Sequence, residues 1–402
     1  MLEREAYIWL NHFKTMRSKD VEKLSALFGN ALDIYNNINK DEAVLSKLQE
    51  NGILKDTTVK EILECDEAVL GKTLEQKMKK AGISVVTPAD KDYPRRLLDI
   101  PGKPLALYYR GSIGFASAEH TLAVIGSRRV SNYGSIVADE FTAELSRKKV
   151  VIVSGMAYGV DGKAHRGTIG NGGRTIAVLG GGVDICYPAT NYDLYMEMCE
   201  NHLVLSEYEP GTEHLPLHFP ARNRIISGLS DGLLVVEAAM RSGTLITADF
   251  ALEQGRTVYA VPGRVTDLSS RGTNGLIKQG AVLVDSPTDI ITDMLGVEIK
   301  SKKKSASGPG KNSKASDPGR EEFVSQGTMN KRRDGINRSG SRVPVSEKEK
   351  EVLGKLGFEP IYIDDIIRVN NMDISGTLQI LRDLEEKELI ESVEKSYFML
   401  KR

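Results

Sequence analysis

Cysteine is scarce in this chain and shows no pairing pattern. The 402 residues hold three, Cys65, Cys186 and Cys199, with no CxxC and an odd total. That excludes a disulfide framework and fits a reducing compartment. Long apolar runs are missing as well, and the N-terminal stretch MLEREAYIWLNHFK opens with acidic residues. Neither a membrane span nor a secretory signal is expected, so the cytoplasm is the expected location. The chain contains no GxGxxG fingerprint and no GxxxxGK[ST] loop, which removes the main support for dinucleotide or nucleoside triphosphate binding. An excess of charge is lacking too: 54 Lys plus Arg face 55 Asp plus Glu, a formal net charge of −1. Binding to nucleic acid would therefore rest on local basic clusters.

Metal-ligand spacing is also thin. Asp161 and His165 lie four apart and so on one helical face, but no third ligand is spaced near them, and the pair reads more simply as groups that satisfy a tight turn. His214 and His218 are separated by Pro216, which spoils the helical geometry of an HxxxH site. No metal and no cofactor is assigned.

What is present begins with a helical, proline-free segment over residues 1–78, with leucine and isoleucine at helical spacing, as in VEKLSALFGNALDIYNNI. From Ile83 to Gly111 the chain turns extended and is punctuated by Pro88, Pro94, Pro101 and Pro104, a lead-in to a sheet. Seven continuous apolar runs follow: TLAVI, VVIVS, TIAVLG, LVLSE, LLVVEA, TVYAV and AVLVD. Runs of this kind mark strands buried on both faces, which predicts a parallel α/β sheet. Glycines follow several of them, so loops at Gly126, Gly155, Gly180 to Gly182 and Gly263 should line one sheet edge, where open α/β sheets bind ligands. The core with its lead-in is placed at 79–296. Over 300–342 the chain holds 12 Lys plus Arg against 4 Asp plus Glu. A basic, disordered linker is expected at 297–344, either a solvated spacer or a weak phosphate attractant. Residues 345–402 carry three helical stretches and a closing two-strand wing, the layout of a winged helix-turn-helix. Its third helix, SGTLQILRDLEEKEL, holds more acids than bases, so a protein partner is at least as good a reading as DNA.

The residues that could hold an anion cluster at the strand ends. LAVIGSRRVS places Gly126, Ser127, Arg128 and Arg129 where a strand hands over to a helix, the geometry of a phosphate nest. SGMAYGVDGKAH adds a second glycine-rich helix entrance with Ser154, Gly155 and Lys163. FPARNRIISG brings Arg222, Asn223 and Arg224, which can grip phosphates or stack on bases, or form a salt-bridged helix start. Ser242, Gly243 and Thr244 open another helix.

Together GSR, SGxAxGxDxxAH, GGxxxxYP, FPxRNRxIxGLS, VVEAxxxSGTLxTAxxAxExGRxVxAVPG and GxNxLIxxGA resemble the DNA-processing protein A family (DprA/Smf) over residues 83–290. The resemblance implies an extended Rossmann-like core between the small helical N-terminal domain and the winged helix, in a noncatalytic protein that binds and protects single-stranded DNA, dimerises, and loads a RecA-type recombinase in natural transformation and homologous recombination. It places Arg128 on DNA phosphate and Arg222, Asn223 and Arg224 at the basic helix entrance. Ala189 stands where some members carry a basic residue after the Tyr-Pro dipeptide. By analogy Met240, Leu276 and Ile277 are candidates for dimer or recombinase contact, with simple core packing as the other reading. A different class, a Rossmann-like nucleotide-binding enzyme such as a nucleoside-monophosphate hydrolase, is echoed in Glu237, Ser242 to Thr244 and Glu253. The order and spacing differ from PGGxGTxxE, and no acid/base pair or nucleophile stands out.

Overall fold

A computed structural model describes residues 1–16, 18–296, 343–356, 361–363, 366, 374–394 and 397–400. The basic linker expected over 297–342 lies outside the described residues. The described part up to Gly296 forms one compact unit and the part from Val343 onward forms another.

Six helices open the first unit: α1 (Glu3–His12), α2 (Ser18–Phe28), α3 (Ala31–Ile38), α4 (Glu42–Glu50), α5 (Asp56–Glu64) and α6 (Glu67–Ala81). Local chemistry sets their starts. Asn30, Asp41 and Asp66 each accept backbone N–H groups at a helix entrance, and Gly82 closes α6 in the left-handed region at φ 61°. The faces they bury meet around Trp9, Leu10, Phe13, Leu24, Ile34, Ile38, Leu45 and Ile62. Helix α6 runs three residues past 78 before the chain becomes extended.

The sheet has nine strands in the order β1-β2-β6-β5-β4-β3-β7-β8-β9. Strands β3 (Thr121–Ile125), β4 (Val151–Ser154), β5 (Thr175–Val178), β6 (Leu203–Ser206), β7 (Gly232–Val235), β8 (Thr257–Ala260) and β9 (Val282–Leu283) pair parallel. These are the seven apolar runs, and β3 to β7 are buried at every residue. The proline-rich lead-in adds β1 (Ser84–Val86) and β2 (Leu107–Gly111), antiparallel on the β6 side. Strand order reverses at β3, with β4 on one side and β7 on the other. The crevice beyond the carboxyl ends of β3 and β7 is therefore the topological switch point.

Helices α7 (Asn132–Arg147), α8 (Val160–Gly170), α9 (Tyr192–Asn201), α10 (His218–Gly228), α11 (Gly243–Glu253), α12 (Arg271–Lys278) and α13 (Pro287–Leu295) complete the unit. They cover two apolar layers, one around Ala123, Val153, Ile176, Ile225 and Leu233, the other around Val124, Phe141, Ile152, Val160 and Leu234. The second unit holds helices Glu347–Lys355 and Ile374–Glu386 and a three-stranded antiparallel sheet, β10 (Ile361–Tyr362), β12 (Tyr397–Leu400) and β11 (Ile390–Glu394). The latter two form the expected wing; most of the expected middle helix falls outside the described residues.

One buried histidine carries a pH consequence. His165 on α8 is fully buried, and its Nδ1 lies 2.7 Å from Thr175 Oγ1, whose hydroxyl donates to Ile152 O. Nδ1 must then be the protonated nitrogen, and Nε2 is buried with no hydrogen bond to a described residue. Burial first, then the nearby charges of His202, Arg222 and Arg166, lower its pKa to about 3. Because the folded pKa lies below the unfolded 6.5, the stability tied to the neutral ring is complete above pH 6.5 and is lost as pH falls toward 3. The slope is about 1.4 kcal/mol per pH unit. Asp161, raised by burial, acts in the opposite sense, so the histidine's share is read by difference. Denaturant melts between pH 7 and 4.5 should show a shallower acid slope for His165→Asn, which keeps the donor to Thr175; an unchanged slope would remove His165 as the cause.

Candidate nucleic-acid interface

The turn after β3 carries the first predicted cluster. Ser127 Oγ donates to Arg129 O at 2.9 Å and accepts from Arg129 N at 3.1 Å, which folds the hydroxyl back on its own turn. Its carbonyl accepts Val160 N at 3.1 Å. Gly159 sits so close that a Cβ there would lie 2.2 Å from Ser127 O, at a φ of 73° that favours glycine anyway. Thr244 Oγ1 donates to Gly126 O at 3.1 Å and so brings the α11 entrance against the same turn. Gly243 is exposed, and Ser242 Oγ is buried with no hydrogen bond to a described residue. Arg128, Arg129 and Lys163 are exposed on this edge.

The helix start that should receive a phosphate is already filled. Ser131, the N-cap of α7, donates its N–H to Glu237 Oε2 at 3.0 Å and its hydroxyl to Oε1 at 2.5 Å. Glu237 is 2% exposed, at the end of β7. An internal carboxylate thus neutralises the positive end of the α7 dipole at the switch point. Glu237 is engaged here, while Glu253 is the last residue of α11. Glu253 thus stands at the far end of α11 from the Gly243 entrance, about 15 Å along the helix axis.

Arg222 and Arg224 are both placed inward. The Arg222 guanidinium is 3% exposed and donates to Gly155 O at 2.7 Å and to Val178 O, the carbonyls at the ends of β4 and β5. Its Nε donates to Asn223 Oδ1 at 3.1 Å, so the first two residues of the expected grip bind each other. Asp161 accepts Gly155 N and Ala157 N with Oδ2. The Gly155 peptide is therefore held on its N–H by a carboxylate and on its carbonyl by a guanidinium. A Cβ on Gly155 would lie 2.3 Å from Arg222 Nη1, which requires glycine by close approach. Burial pushes Arg222 down to about 10, with Asp161 opposing, so it stays charged at neutral pH. Burial likewise raises Asp161 against the pull of Arg222 and of the two backbone donors. Arg224 donates from Nη1 and Nη2 to the two Glu207 oxygens at 2.9 and 2.6 Å and from Nε to Gly102 O at 2.9 Å. Burial works against its charge and the bidentate Glu207 more than offsets it. Neither arginine faces phosphate as the sequence reading expected. Ser154 Oγ is also spent internally, on Val124 O at 2.6 Å.

What reaches solvent at this edge is a cation over aromatic rings. Arg128 Cζ lies 5.1 Å from the centroid of Phe219, and Arg222 lies 6.0 Å from the same ring. Tyr187 stacks on His214 at 5.2 Å and contacts Phe219 at 5.5 Å; Tyr208 stacks on His218 at 4.1 Å. His214 Nε2 donates to Ile185 O at 3.0 Å, and burial lowers its pKa, which favours a neutral stacking face. Gly180 and Gly181 make room for these rings: a Cβ would lie 3.3 Å from Phe219 and 2.9 Å from the His214 ring. Tyr187 is 39% exposed and Tyr158 and Tyr192 about the same edge 46% and 56%. Sequence reading did not single out Phe219 or Tyr187, and weighed His214 only as a metal ligand. Arg174, which precedes β5, sits at the opposite edge, over Phe115. Met240 is 61% exposed, whereas Leu276 is 6% exposed and packs with Ile277 in the core. A cavity of about 880 Å³ between α1 and α6 includes no strand-end loop residue in its lining.

Among the described residues no group of three or more His, Cys, Asp or Glu could hold a metal, and no helix is long and apolar enough to cross a membrane. Fold and edge together define a Rossmann-like α/β protein whose switch point presents an arginine and stacked rings. Residues 84–295 match the family of DNA recombination-mediator protein A. The chain is 45% identical over 204 residues to the DNA processing protein DprA of Streptococcus pneumoniae, covering 51% of this chain and 72% of that one. It is 43% identical over 213 residues to the DNA processing protein DprA of Bacillus subtilis, covering 53% and 72%. The X-ray structure of DNA processing protein A from Streptococcus pneumoniae superposes with a TM-score of 0.62 at 35% identity, over 73% of this chain and 98% of that one. The chain belongs to the DNA recombination-mediator protein A family, and its role is in DNA processing.

Proposed function

We propose that this protein binds single-stranded DNA, without catalysing a reaction on it, across the carboxyl edge of β3, β5 and the α10 entrance. The observation that carries this reading is Arg128 held over the Phe219 ring beside Tyr187 and His214. A guanidinium supplies a phosphate contact, and rings supply faces on which any base stacks, so binding is tolerant of sequence and sensitive to salt. Lys163, Arg129 and the Ser242 to Thr244 entrance extend the same edge. Arg222, Asn223 and Arg224 act by fixing α10 and its ring rather than by touching the strand.

In the reading we favour, the protein protects incoming DNA in the cytoplasm, works as a homodimer and hands the strand to a RecA-type recombinase. Met240, with Val265 at 83% and Leu268 at 67% exposed, offers apolar surface for such contacts. The second unit, with its wing, takes a further protein or DNA partner. Fluorescence anisotropy of labelled oligo-dT against a matched duplex at two salt concentrations tests the proposal. Single-strand preference that weakens with salt supports it. Equal, weak binding to both would overturn it.

A further inference from the structure

The N-terminal helices reach the same edge indirectly, through the two groups that hold Arg224. One is Glu207, whose backbone carbonyl accepts Asn11 Nδ2 of α1 at 3.1 Å. The other is Gly102, whose carbonyl accepts Arg224 Nε while its N–H donates to Glu22 Oε1 of α2 at 3.1 Å. Two more links grip the loop that follows Glu207: His12 Nδ1 lies 3.0 Å from Glu209 Oε1, and Lys77 Nζ of α6 donates to Pro210 O at 3.4 Å.

That loop is the one that shapes the rings. It runs from Tyr208, stacked on His218, through Thr212, whose carbonyl accepts Gly182 N at 2.8 Å, to His214, stacked on Tyr187. Arg224 lies five residues along α10 from Phe219, so clamping Arg224 sets the helix that carries the ring under Arg128.

We propose that the six-helix segment is a remote brace for the single-strand surface, with Asn11, His12 and Glu22 as positioning residues that act through Glu207, Glu209 and Gly102. The inference rests on the binding reading given above. It assigns these helices a task that needs no contact with nucleic acid. A brace and a direct contact differ in one observable: removing a brace weakens binding without changing the number of phosphates neutralised, so the salt slope stays put.

The test uses the full chain with Asn11→Ala/Glu22→Ala, with Glu22→Gln as the conservative control, since it keeps an acceptor for Gly102 N. Oligo-dT affinity should fall about threefold to tenfold, the scale of one or two hydrogen bonds, with the wild-type salt slope. Glu22→Gln should stay near wild type. Hydrogen exchange of amides over 207–228 should quicken in the double variant, a readout that needs no DNA. Wild-type affinity and exchange in the double variant would overturn the brace. So would a reduced salt slope, which would mean that the helices touch the strand themselves. If wild-type protein failed to bind oligo-dT, the binding reading would fall while the exchange data still judged the brace. Should the double variant melt early, His12→Ala alone, at a partly exposed pair, carries the same comparison.

Discussion

Phe219→Ala lowers oligo-dT affinity by about tenfold to a hundredfold and leaves the salt slope near its wild-type value, because one stacked base contributes about 1–3 kcal/mol and carries no counterion term of its own. Arg128→Ala gives the complementary result. Affinity falls by a similar factor and the slope of log K against log salt drops by about 0.7, the share of one phosphate on a single strand. The pair is coupled as well as adjacent. With the guanidinium 5.1 Å above the ring, each single change disturbs the other's partner, so the double variant loses less than the sum of the two. Arg128 is exposed, and its replacement should leave the melting temperature alone. Anisotropy over a salt series, with thermal melts on the same samples, separates these effects. A slope unchanged by Arg128→Ala would place the phosphate contact elsewhere on the edge.

The second large effect is on stability. Arg222→Ala should cost about 3–5 kcal/mol, since it leaves Asp161 buried without its counter-charge and strips the donor from two strand-end carbonyls. Asp161→Asn should cost less, because an amide oxygen can still accept the Gly155 N–H. Combining Arg222→Met with Asp161→Asn should recover part of the loss, the signature of two charges that are tolerated only together. Denaturant melts read all three. If Arg222→Ala instead melted like wild type while oligo-dT affinity collapsed, the guanidinium would be facing the strand and its inward placement would be wrong.

Much of this fold is written locally. The seven apolar runs become the seven parallel strands because a strand covered on both faces must be apolar at consecutive positions, a pattern that survives without any knowledge of order in the sheet. AVLVD shows the limit: only Val282 and Leu283 pair, as an edge strand with both residues exposed. The site was less legible. Arg222 and Arg224 read as a helix entrance, yet α10 begins at His218, with Pro220 in its first turn, so both arginines lie a turn inside it. The helical spacing of Arg222, Ile225, Ile226 and Leu229 was the available signal that Arg222 shares the buried face. No such signal links Tyr187, His214 and Phe219, or Ser131 and Glu237, which lie 106 residues apart and meet only through the sheet order.

The carboxylate of Glu237 has a consequence for selectivity. A free phosphate or a mononucleotide seeking the α7 entrance meets a rival that is tethered to the protein and so present at a local concentration no solute matches. A strand lying outside, across Arg128 and the rings, meets no such rival. On the binding mode proposed above, a side chain already in place would let the protein distinguish polymer from monomer, with free nucleotides passing by the edge without occupying it.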